Sequence, residues 1–115
     1  MMNFAQLGEK LPAEAVVWGG FGLPLTINAN RVTGDSVTPE TNVLETYAKL
    51  LEAAVQFQTD LNQQRSLLGL PPVAIVAKTI GAEDGNPTFT YSLKVTIAAG
   101  TALDNLLIPD TTPAL

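Results

Sequence analysis

The chain has 115 residues, 46% of them hydrophobic and 15% charged, with a mean hydropathy of +0.22 and a net charge of −5. That is enough for a single domain over 1–115 and too apolar for a disordered chain. Having no Cys and no His excludes disulfide frameworks, thiolate nucleophiles, imidazole bases and the common zinc and iron–sulfur sites, while eleven acidic against six basic residues argue against a nucleic-acid partner.

Residues 1–12 read as an N-terminal arm. Met1 to Lys10 lacks the charged start and unbroken apolar run of a signal peptide, and no apolar stretch nears the ~20 residues that span a bilayer. The expectation is a cytoplasmic protein without membrane contact. Residues 13–32 read as a first β-hairpin. Ala15-Val16-Val17-Trp18 and Leu25-Thr26-Ile27-Asn28-Ala29 are strand-like, and Gly19-Gly20-Phe21-Gly22 turns between them.

A long helix is expected over 38–68. Thr38 can cap it, Pro39 has its φ pre-set for the first turn, and Glu40 faces the positive end of the dipole. Val43, Tyr47, Leu50, Ala54, Phe57, Leu61 and Leu68 form an apolar stripe at helical spacing. Glu45, Lys49, Glu52, Gln56, Asp60 and Gln63 lie opposite, as its solvent side. Gly69 and Pro71-Pro72 stop it.

Residues 73–97 read as a second hairpin. Phe89, Tyr91, Leu93, Val95 and Ile97 alternate with Thr88, Thr90, Ser92, Lys94 and Thr96, so one face of that strand is apolar. A two-residue turn at Asp84-Gly85 would set Lys78 opposite Tyr91 on that apolar face. A three-residue loop, Glu83-Asp84-Gly85, pairs Ala82 with Asn86 and Lys78 with Thr90 instead. Because a slip of one residue exchanges the faces, the parity of the apolar residues favours the three-residue loop. The tail, 100–115, carries Leu103, Leu106, Leu107 and Ile108 and reads as a short helix or an edge strand.

The order β-β-α-β-β predicts an α+β, two-layer domain, an antiparallel four-stranded sheet with one long helix packed across one face. The expected register leaves Ala74, Val76, Lys78 and Ile80 on the outer face of that sheet. These four are the candidate oligomer contacts. Val76→Glu should then weaken association and spare the monomer, whereas Leu93→Glu should unfold it.

Other candidate sites are weaker. Gly19-Gly20-Phe21-Gly22 matches no phosphate-binding pattern, and Glu83-Asp84-Gly85-Asn86 lacks the spaced acids of a calcium loop. Ser92 lies between Lys78 and Lys94 on the expected outer face, a Ser–Lys pairing that reads more simply as a solvated surface. Tyr47, Phe57 and Tyr91 could line an apolar ligand pocket between helix and sheet. No catalytic residue, cofactor or metal is expected. The reading is a non-enzymatic protein–protein interaction or assembly module acting as a homo-oligomer, at least a dimer. The alternative is a small-molecule binding protein holding an apolar ligand.

Overall fold

A computed structural model describes residues 2–95, so the element expected within 100–115 lies outside the described residues. Over those residues the order is α1 (Phe4–Glu9), β1 (Val16–Trp18), β2 (Leu25–Ile27), α2 (Ala29–Thr33), α3 (Val43–Leu67), β3 (Val76–Glu83) and β4 (Asn86–Leu93). The class is α+β. The four-stranded sheet is not formed: β1 pairs with β2 and β3 with β4, in two separate antiparallel sheets.

The N-terminal arm contains a helix. Asn3 accepts from the Gln6 N–H at 2.8 Å, and the Gln6 side chain accepts from the Asn3 N–H at 2.9 Å. This reciprocal cap satisfies two donors that a helix start otherwise leaves open. A Cβ on Gly8 would lie 3.3 Å from that of Val16, so glycine lets α1 settle closely on β1. The first hairpin is short, with Val16 opposite Ile27 and Trp18 opposite Leu25. At its tip Trp18 and Phe21 meet edge-to-face, 5.2 Å between centroids.

Directly after β2, Asn28 caps α2 by accepting from Asn30 N–H at 3.0 Å and more weakly from Arg31 N–H at 3.4 Å. Gly34 at φ 78° ends that helix. Chain turned into α2 at that point is carried onto α3 and not towards β3. This is one reason the hairpins do not merge.

Helix α3 starts five residues later than the sequence pattern implied. Thr38 instead organises a turn: its N–H donates to Thr41 Oγ1 at 2.9 Å and its own hydroxyl accepts from Glu40 N–H at 3.3 Å. Asn42 is the cap, accepting from Leu44 N–H at 3.0 Å. The end falls where expected, with Gly69 at φ 72° after Leu68. Helices α1 and α2 and strand β3 all contact α3. Among the described residues the buried apolar ones are Ala15, Val32, Ala53, Ala54 and Val76. Two of the five are alanines one step apart on α3, where small side chains admit close approach from more than one direction.

The second hairpin takes the two-residue turn. Glu83 pairs with Asn86, Ile80 with Phe89, Lys78 with Tyr91 and Val76 with Leu93. Asp84 and Gly85 have φ of 50° and 80°, both left-handed, as a type I′ turn requires. The three-residue loop is therefore corrected, and with it the parity of β3: Val76, Lys78 and Ile80 share a face with Phe89, Tyr91 and Leu93. Gly85→Val, placing a β-branched residue at positive φ, should cost about 1–2 kcal/mol, while Asp84→Asn should stay within about 0.5 kcal/mol. Urea unfolding of the two variants checks this.

Candidate functional site

The densest polar constellation among the described residues sits where α3 meets the base of the second hairpin. Segment 71–76 approaches α3 without a strand neighbour on that side, and α3 supplies one from its side chains. The Asn62 amide accepts from Val73 N–H at 2.8 Å and donates to Val73 C=O at 3.1 Å. Gln58 accepts from the N–H groups of Ile75 and Val76 at 2.5 and 2.9 Å, and donates to Val76 C=O at 2.9 Å. Arg65 Nε donates to Pro71 C=O at 2.7 Å. Gln58, Asn62 and Arg65 follow a 4-3 spacing and so lie along one side of the helix. Their amides do for the backbone what a neighbouring strand would do, which closes this edge of the hairpin to further strands.

One step along β3, Lys78 reaches Glu52 of α3 at 2.5 Å. Tyr91 on β4 donates its hydroxyl to the same Glu52 oxygen. The Lys78 ammonium also lies 4.8 Å from the Phe89 ring centroid and 5.9 Å from that of Tyr91. A cation on an apolar strand face is thus held by one carboxylate and two aromatic rings. Glu52 and Lys78 remain 39% and 26% exposed at the side chain, so the pair is partly hydrated and not a buried ion pair.

Hydrogen bonding from Lys78, then from Tyr91, holds the Glu52 carboxyl below its ordinary range, against a smaller opposing effect of desolvation. The Glu52 carboxylate, aided by desolvation, pushes the Tyr91 phenol up from 10.0 to about 12. Both shifts have consequences for stability, of opposite sign in pH. A lowered Glu52 favours the fold once the unfolded carboxyl is ionised, and that contribution is lost as pH falls through the folded value. A raised Tyr91 favours the fold below pH 10.0 and loses that contribution as pH climbs towards about 12. Melting temperature against pH should therefore fall at both ends. Tyr91→Phe should flatten the alkaline limb and Glu52→Gln the acid one.

The candidate residues end up dispersed. Val76, Lys78 and Ile80 do share a face, but at 76 and 78 it is turned to α3: Val76 is buried and Lys78 is engaged by Glu52, while Ala74 and Ile80 are exposed. The Ser–Lys arrangement is likewise broken, because Ser92 pairs with Ala77 and lies on the opposite face from Lys78. Tyr47 is 54% exposed, Phe57 is half-buried, and Tyr91 is tied to Glu52. A cavity of about 570 Å³ opens instead at the hairpin base, lined by Met2, Val73, Ala74, Ile75, Leu93, Lys94 and Val95. Neither Tyr47, Phe57 nor Tyr91 borders it. Glu52, Gln58 and Asn62 were missed because they are polar residues flanking an apolar stripe, which reads as solvent side. The available signal was Lys78, a charge in an apolar alternation that needs a partner.

No helix among the described residues is long and apolar enough to cross a membrane. Comparison with protein-family models, with curated proteins and with solved structures finds no match.

Proposed function

We propose that this protein is a non-enzymatic assembly module that works as a homo-oligomer, at least a dimer, in the cytoplasm. One observation carries the self-association: the balance of apolar residues. Among the described residues only five are buried, while seventeen large ones remain exposed, including Trp18 at 54%, Phe21 at 96%, Leu67 at 88% and Ile80 at 70%. Scattered exposed leucines are ordinary, but so small a core beside so many exposed large side chains is the pattern of a chain that completes its burial against another. The second support is architectural. A two-stranded sheet is marginal alone, and this chain carries two of them. The polar constellation at Glu52, Lys78 and Tyr91 is used up internally as a tether between helix and hairpin, which leaves it poorly placed for catalysis.

Sedimentation equilibrium at high micromolar concentration should report a dimer or larger species. A clean monomer under those conditions overturns the proposal.

A further inference from the structure

The pairing pattern of the second hairpin defines which backbone groups it leaves over. Glu83 and Asn86 close the two-residue turn as a hydrogen-bonded pair, and Lys94 N–H donates to Ile75 C=O at 2.9 Å at the other end. Hydrogen-bonded and non-bonded pairs alternate in an antiparallel ladder. The pairs Ala82–Pro87, Ile80–Phe89, Lys78–Tyr91 and Val76–Leu93 are therefore the non-bonded ones, and their N–H and C=O groups (for Pro87 the C=O alone) point away from the hairpin on either side. On the β3 side, Gln58 takes up both groups of Val76, and Lys78 sets a charge beside the rest. On the β4 side, the backbone groups of Phe89, Tyr91 and Leu93 have no hydrogen-bond partner among the described residues.

That edge also lacks the usual protections. Exposed edges are normally blunted by charge, proline or a bulge. Asn86–Leu93 has no charged residue in a chain of net charge −5, its register with β3 is unbroken, and its one proline, Pro87, stands at the turn end. Its sequence is symmetric in character about Tyr91: Phe89 mirrors Leu93, and Thr90 mirrors Ser92.

We infer that β4 pairs with β4 of a second copy, antiparallel about a two-fold axis at Tyr91. This rests on the self-association proposed above and names its surface. Phe89 then exchanges backbone hydrogen bonds with Leu93 of the second copy, and Tyr91 with its own counterpart, so that every open group of Phe89, Tyr91 and Leu93 is used. A second copy is the fitting occupant for two reasons. An antiparallel two-fold lays one uncharged strand against another, where like-charged surfaces of the two chains otherwise repel. The symmetric alternation also brings both apolar sides to one face, joining exposed Ile80, Phe89 and Leu93 to their counterparts. The order β3-β4-β4-β3 results, so two chains together make the four-stranded antiparallel sheet that one chain does not.

In this register Thr90 stands opposite Ser92 of the other copy, and both side chains are exposed on the polar face. The test uses the full chain and sedimentation equilibrium, with helix circular dichroism as the check on folding. Thr90→Lys with Ser92→Lys sets like charges directly opposite twice and should raise the dimer Kd about tenfold. Thr90→Lys with Ser92→Glu sets opposite charges in the same places and should restore it. Phe89→Pro removes one outward N–H without touching the β3–β4 ladder and should also weaken association. A wild-type dimer indifferent to the double lysine or to the proline overturns the edge pairing and leaves self-association standing. Equal weakening by both charge pairs overturns the two-fold register. A wild-type monomer overturns both proposals.

Discussion

Val76→Glu should unfold the protein, losing more than about 3 kcal/mol, while Leu93→Glu on the facing strand should cost far less. The reason is position. Val76 is 5% exposed and locked to α3 through its own backbone, whereas Leu93 is 54% exposed. A carboxylate at 76 would be taken out of water against α3, and the nearby Lys78 is already paired with Glu52. Urea melts should separate the two variants plainly. This order is the reverse of the one the expected register implied, so the experiment also decides between the two registers. The opposite order, with Leu93→Glu the more damaging, would return β3 to the rejected parity.

Gln58→Met should destabilise by about 2–3 kcal/mol, a large effect for a near-isosteric change on a polar residue. Methionine fills similar space but makes none of the three bonds that Gln58 gives to Ile75 and Val76. Those backbone groups are left part-buried and unpaired, and the net cost of such groups exceeds the value of the bonds themselves. Gln56→Ala, on an exposed position two residues away, should stay within about 0.5 kcal/mol. Matching losses from the two would show that the amide is not holding the segment.

The two hairpins and the long helix were legible in the residues because each rests on local signals. Gly69 ends α3 at the expected place, and the second hairpin reverses where expected, though on the two residues Asp84-Gly85 and not on the three-residue loop. The start of α3 was misplaced since Thr38-Pro39-Glu40 and Asn42 both resemble caps, and only the hydrogen bonds distinguish a turn from a helix start. Helices α1 and α2 were missed: at six and five residues they are too short for periodicity to show.

The errors at the hairpin and at the helix are one error. A lone charge on an apolar face is costly, so the sequence places Lys78 on the outer face, and Glu52, lying off the apolar stripe, reads as facing solvent. Each judgement is sound for an isolated element. Together in space the two residues cancel each other's cost, with Tyr91 and Phe89 completing the setting. By itself the sequence determined the α+β class, where the chain reverses, the helix end and the alternation of β4, all of which depend on backbone preferences within a few residues. The tertiary structure alone decided the parity of β3, the separation of the two sheets and the backing of segment 71–76 by Gln58 and Asn62. Those depend on which polar groups from distant positions meet, and pairing energies between distant groups leave no periodic trace in either partner.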